Sequence, residues 1–438
     1  MISAAFPPTG GPGVQRSVKF AKYLPVFGWQ PTVWAAEPLV GLPQDETLLR
    51  DIPADVEVHR RPSRQSRPVQ PTWLARIASW ASEGPTVKSD HPDEMITWAR
   101  GSLPRVRELI AQRGIHAIYS TFSPASNHWL ALEIKKATGL PWVADFRDLW
   151  TDDYRYVAAD AGQQVADRAL EQEILDTADA VIGVSAKQTD VLASHLHSSR
   201  SKFFTITNGF DPADFQGVQR ARTNEGPWVI AHVGRLDRWR ACDAWFDGLR
   251  EFVKSIDDAS GRCVIRIMGH ATAAVQERLR ATGANCQFRP YGLHDEAIQE
   301  MHDADALLLL VPDGPNAESV IPAKLFEYLA ARKPILVVGP RGGECEFIVQ
   351  EYAAGRAVGF DAAAVSGGLH KLYGDWKANR CAAGASVDRL SVFSRRELTG
   401  SLAAILDRLC PSNRQESGRD NIEKRLGARP SIQFAEST

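Results

Sequence analysis

The strongest constraint on this fold is a recurring unit, a short apolar run followed by a stretch of helical length. Pro141-Trp-Val-Ala144, Ala180-Val-Ile-Gly-Val184, Trp228-Val-Ile-Ala-His-Val233, Cys263-Val-Ile-Arg-Ile-Met268, Ala306-Leu-Leu-Leu-Leu-Val311 and Ile335-Leu-Val-Val338 are such runs. Near-continuous apolar runs of this kind suit strands buried on both faces, and parallel strands need crossover helices between them. The unit repeats in both halves of a 438-residue chain, which is too long for one ordinary core. The expectation is an α/β protein with two doubly wound parallel sheets. The turn cluster Asn208-Gly-Phe-Asp-Pro212 sets the boundary. Domains are therefore expected at residues 1–207 and 208–393, with a last amphipathic helix at 394–410 packing back toward the first domain. The polar, mixed-charge tail at 411–438 reads as disordered.

Met1–Phe6 must supply the first strand and is barely long enough, so the start is expected to lie inside the true first strand. Residues 60–100 are the least regular part. Arg60, Arg61, Arg64, Arg67 and Arg76 occur there with Trp73, Leu74, Ile77 and Trp80 at helical spacing. Two readings stay open: contact with an anionic membrane face, or an insertion whose stripe packs on its own domain. The net charge of -2 argues against a general nucleic-acid binder. The 6 cysteines form no C-x-x-C pair, which argues against zinc and fits a reducing cytosol. No apolar run is long enough to span a bilayer.

The stretch Asn316 to Leu336 follows a buried strand and enters a short helix. A helix start after a strand's carboxyl end presents free N–H groups and a positive dipole end, which suit phosphate. Lys324 and Glu327 lie three apart on one helix face. They would serve as a cation beside a diphosphate and a carboxylate for a ribose diol, or as an ordinary surface ion pair. Asp145-Phe-Arg-Asp-Leu-Trp150 continues a strand, on the edge where α/β sheets bind ligands. Asp303-Ala-Asp305 imitates a metal-binding D-x-D but falls between a helix and a buried strand, where capping explains it better.

Phe6-Pro-Pro with its following glycines, Asp145-Phe-Arg-Asp, Asn208-Gly-Phe-Asp-Pro, His232-Val-Gly-Arg and Pro322-Ala-Lys-Leu-Phe-Glu-Tyr-Leu-Ala, in that order, resemble the glycosyltransferase family 4-like proteins. The resemblance runs from residue 1 to about residue 410. It implies the GT-B fold, two Rossmann-like domains facing a cleft. It also implies retaining, metal-independent sugar transfer from a nucleotide-diphosphate sugar, with no cofactor. Arg235 and Arg240 match the basic pair that stabilises the leaving diphosphate, although the second is usually Lys. Glu327 matches the second of a glutamate pair. The first falls on Ser319, one residue from Glu318, so Glu318 is the candidate for the donor-sugar hydroxyls.

Gly11, Gly13, Gly234, His270, Gly292, Leu293, Ser319, Val320, Ile321 and Lys324 complete the expected donor site. Asp145 and His128 are candidate catalytic groups, and Asp145 and Arg147 candidate acceptor anchors. The expected acceptor is a glycan or lipid-linked molecule, met in the cytoplasm or at the inner membrane face. A nucleotide-sugar epimerase and a non-catalytic nucleotide-sugar-binding subunit are the alternatives.

Overall fold

The computed structural model describes residues 1–66, 91–195, 200–219, 226–256, 262–380 and 387–411. Twelve strands are described. In the first lobe these are β1 (Thr32–Ala36), β2 (Glu57–Arg61), β3 (Ile118–Phe122), β4 (Trp142–Phe146), β5 (Ala180–Gly183) and β6 (Phe203–Thr205). The second lobe holds β7 (Trp228–Val233), β8 (Cys263–Met268), β9 (Asn285–Arg289), β10 (Ala306–Leu310), β11 (Ile335–Val338) and β12 (Gly355–Val358).

In the second lobe the strand order is β9-β8-β7-β10-β11-β12, all parallel. Counted along the lobe this is 3-2-1-4-5-6, the doubly wound order that opens a crevice between the first and fourth strands. The first lobe pairs β2 with β1 and runs β3-β4-β5-β6. The two parts are joined through Ile2, which bridges Trp34 on one side and Ser120 on the other. The expected first strand is thus reduced to a single bridging position. Its N–H groups are still satisfied: Ile2 N–H donates to Tyr119 O and Ser3 N–H to Trp34 O.

The runs are strands because they are buried on both faces. Leu307 to Leu310 are at most 1% exposed, each worth about 1.5–3 kcal/mol of burial. Helices cover both faces, and the helix Arg395–Leu409 crosses back to the first lobe. There Leu398, Leu402, Ile405 and Leu406 pack with Phe20, Leu24, Tyr119 and Val143.

The basic Trp-bearing stretch gives a mixed outcome. Arg67, Arg76, Trp73, Leu74, Ile77 and Trp80 lie outside the described residues, as does the tail from residue 412. Arg60 and Arg61 turn inward instead of forming a basic surface. Arg60 donates to Ala36 O and Pro7 O, and Arg61 to Trp98 O. Among the described residues, no helix is long and apolar enough to cross a membrane.

Candidate functional site

The crevice of the second sheet lies where the chain leaves β7 and β10. Gly234 follows β7 with φ 131°, which favours glycine. A Cβ there would overlap Lys324 Nζ. Gly269, after β8, packs on Gly234 O closely enough that a Cβ would collide with it. Leu236 N–H then donates to His270 O at 2.8 Å, which fixes the start of the Arg235–Arg240 turn. The His270 side chain is exposed beside this turn.

Lys324 opens the helix Lys324–Ala331. Tyr328, one turn on, is buried and accepts Val233 N–H at 2.9 Å, bracing that helix on the end of β7. Lys324 Nζ lies 3.3 Å from His232 Nε2, and His232 Nδ1 lies 3.1 Å from Leu308 O. Burial, then the charge of Lys324, holds the His232 pKa far below its ordinary value, so the ring is neutral. Its Nδ1–H donates to Leu308 O, and its Nε2 accepts from the lysine. Burial, then Arg240, pushes the Lys324 pKa down to about 7, while Glu327 and Asp237 oppose the shift.

Asp237 gathers both arginines. Its Oδ2 lies 3.2 Å from Arg235 Nε and 3.1 Å from Arg240 NH1. Arg235 is 70% exposed at the side chain and Arg240 20%. The aspartate was not singled out in the sequence. Its spacing, two after Arg235 and three before Arg240, was the available signal. Arg235, Arg240, Lys324 and Glu327 therefore converge on one crevice. Glu327 is 22% exposed at the side chain, 4.0 Å from His294 Nδ1.

His294 is a second residue that motif reading passed over. It starts the helix His294–Asp303. Its Nε2 lies 3.1 Å from Asp214 Oδ2 and its backbone N–H donates to Asp45 Oδ2 at 3.2 Å. Burial lowers its pKa, but the Asp214 bond and the Glu327 charge outweigh burial and raise it. A raised histidine pKa adds stability that is complete below about pH 6.5, its ordinary value, and is lost as pH rises through the folded value. The expected result is a thermal midpoint for His294→Gln that lies below wild type at pH 6 and approaches it at higher pH. Equal differences at all pH values would show that the ring is not the titrating group.

Several expected site residues sit elsewhere. Asp145 is fully buried. It accepts from Arg16 Nε at 2.7 Å, Arg16 NH2 at 2.8 Å and Tyr119 Oη at 2.5 Å. Its partner is Arg16, not Arg147, and the pair is part of the lobe's interior. His128 is also fully buried. Its Nδ1 bonds Ser120 Oγ at 2.7 Å, its ring packs on Phe122 and Phe146, and burial lowers its pKa to about 3. Both sit inside the first lobe because a strand and a helix of a doubly wound domain each have a face turned from the ligand edge.

Ser319 is 3% exposed, and its hydroxyl donates to Asn316 O within its own turn. The neighbouring Glu318 side chain has no hydrogen bond or ion pair among the described residues. Leu293 N–H is taken by Glu296 at 2.8 Å, so it does not serve a base. Gly292 has no room for a Cβ beside Glu296 and Met268. Asp305 accepts Val229 N–H at 2.8 Å, a structural role for the D-x-D. Asp51, Asp211 and Asp214 bring carboxylates together, but Lys19 Nζ lies among them at 2.7, 2.8 and 3.0 Å.

The first lobe closes over the crevice. Ser185 Oγ donates to Ser319 O at 2.7 Å, Asn316 Nδ2 to Asp152 O at 3.0 Å, and Arg50 pairs with Asp295. Tyr154 meets Trp239 edge-on, with ring centroids 6.3 Å apart. Gly11 opens the helix Pro12–Tyr23 at φ 105°. Gly13 in its first turn lies under the Arg147 guanidinium. Val320 and Ile321 line the inter-lobe cavity with Arg147.

Residues 10–209 match the Glycosyl transferase 4-like domain. No curated protein matches the chain in sequence. Among solved structures, a sucrose-phosphate synthase from Thermosynechococcus elongatus is similar at 15% identity and TM-score 0.68, over 94% of this chain and 98% of that one. Anabaena HepE, solved in complex with UDP and glucose, is similar at 13% identity and TM-score 0.63, over 93% and 98%. A putative UDP-N-acetylglucosamine 2-epimerase from Listeria monocytogenes is similar at 12% identity and TM-score 0.55, over 93% and 97%. With two Rossmann-type sheets closed on one cleft, the chain has the GT-B fold, and its first lobe carries a glycosyl transferase 4-like domain over residues 10–209.

Proposed function

We propose that this protein transfers a sugar from a nucleoside diphosphate sugar to a glycan or lipid-linked acceptor, with retention and without a metal. The observation that carries the reading is the convergence of Arg235, Arg240 and Lys324 at the carboxyl edge of β7 and β10, with Asp237 and Glu327 as their acidic neighbours. When a glycosidic bond to a diphosphate breaks, negative charge grows on the leaving phosphate and positive charge on the sugar. Fixed cations aimed at that phosphate stabilise the transition state more than the ground state. Glu327 is placed to accept from a ribose diol. HepE, of the same fold, binds UDP, and a uridine nucleotide is the first donor to try here.

Lys324 makes the reading measurable. Its pKa, pushed down to about 7 by burial and Arg240, would rise beside a diphosphate. Binding near pH 8 should therefore take up to about one proton, and affinity should fall as pH rises. Calorimetry in buffers of different ionisation enthalpy measures this, and Lys324→Met should abolish the uptake. A binding heat independent of buffer in wild type would remove Lys324 from the diphosphate.

The decisive experiment incubates the protein with labelled nucleotide sugars, with and without envelope lipid and glycan extracts. Acceptor-dependent transfer is expected. Isomerised nucleotide sugar formed without acceptor would favour the epimerase. Tight nucleotide binding with no turnover would favour a binding subunit. Burial removes His128 and Asp145 from any acid/base pair for epimerisation.

A further inference from the structure

We infer that the cleft receives a second anionic group, a carboxylate or phosphate carried by the transferred sugar or by the acceptor, and that Arg147 binds it. The inference rests on the proposed use of a nucleoside diphosphate sugar. Its own evidence is the charge balance of the open inter-lobe cavity. Arg147, Asp148, Asp152, Asp153 and Asn316 are among the residues lining it, whereas Arg235, Arg240 and Lys324 are not. Ser319, Val320 and Ile321 of the expected donor turn also line it, so a group on Arg147 would sit beside the donor and on the far side from Arg235, Arg240 and Lys324.

The carboxylates of the cavity already have cations. Asp148 and Asp153 pair with Arg155 at 3.2 and 2.8 Å. Asp152 pairs with His195 at 2.5 Å and with Arg168 at 3.1 Å. Arg147 has none. Its Nε donates to Thr121 Oγ1 at 2.9 Å and Phe122 O at 2.7 Å, and its NH2 to Ser123 O at 2.8 Å. All three acceptors are neutral, and NH1 has no hydrogen-bond acceptor among the described residues. The bonds lock the guanidinium in one orientation across Gly13, where a Cβ would overlap NH1. A half-buried guanidinium, fixed by neutral groups and with no ion pair among the described residues, keeps its charge available to a ligand. Its planar fork is prepared for a carboxylate or phosphate.

The test begins with UDP, ADP, GDP and TDP by calorimetry, which examines the donor reading alone. Inorganic phosphate is then titrated into protein saturated with the best of these nucleotides. Wild type should bind it, Arg147→Met should bind it about tenfold or more weakly, and Arg147→Lys should fall between. Nucleotide affinity should change less than twofold in either variant. Phosphate affinity equal in wild type and Arg147→Met would overturn the inference, as would a matching loss of nucleotide affinity, which would assign Arg147 to the diphosphate.

If no nucleotide binds, the donor reading fails, and the same titration on unliganded protein still decides the role of Arg147. Arg147→Lys keeps the charge and guards against a folding failure of Arg147→Met. Two comparisons locate the group. UDP-glucuronate preferred over UDP-glucose places it on the donor sugar. Glucose 6-phosphate or glucuronate preferred over glucose, with nucleotide present, places it on the acceptor. No preference in any comparison would also overturn the inference.

Discussion

Arg240→Ala is expected to lower kcat by about a hundredfold to a thousandfold, the loss typical when one preorganised group facing a developing charge is removed. Arg240 is the more enclosed of the two crevice arginines, and Asp237 holds its guanidinium at 3.1 Å beside Lys324. A group fixed before the reaction needs no reorganisation as charge develops. Arg235 is largely exposed on the same aspartate. Arg235→Ala is expected to lower kcat by about a hundredfold, because under the proposed function its charge would face the same phosphate from a more solvated position. Steady-state kinetics at saturating donor would measure both. An unchanged kcat with a raised donor KM would make either arginine a ground-state binder instead.

Asp145→Ala is expected to destabilise the protein by about 3–5 kcal/mol, measured by denaturant unfolding, because it strands a buried guanidinium. Arg16 and Asp145 are both fully buried. Arg16 also donates to Ile206 O and Thr207 O, just before the turn that joins the lobes. Removing both charges together, as Arg16→Met with Asp145→Leu, should cost much less than either alone, since no unpaired charge remains. A loss below about 1 kcal/mol for Asp145→Ala would mean that water reaches Arg16 and the pair is not sealed.

The resemblance to the family pointed to the two crevice arginines, and nothing in residue order pointed to the buried pair. His232-Val-Gly-Arg235 and Lys324 to Glu327 mark the crevice because they follow apolar runs that can only be central strands. The same reasoning placed Asp145 at a sheet edge and made it, with Arg147, a candidate acceptor anchor. Successive strand residues face opposite sides of a sheet, and Asp145 faces the lobe's interior, toward an arginine 129 residues away in sequence. Arg147, two positions further on, has passed the end of β4 and reaches the cleft. The shift from Ser319 to Glu318 was visible as a mismatch of spacing. That Ser319 spends its hydroxyl on Asn316 was not visible, because Asn316 adopts φ 56° and the turn closes on itself.

Periodicity and punctuation were enough for parallel α/β sheets in both halves, since these follow from apolar run length and the helices between, whereas the strand order came only from the fold. Which charges are spent inside and which face a ligand was settled only in three dimensions. Asp237, His294, Arg16 and Arg155 each neutralise or position a group, and Arg16 and His294 do so for carboxylates 129 and 80 residues away in sequence. Pairing energies depend on distance and burial, and folding alone brings such distant residues within hydrogen-bond reach of each other.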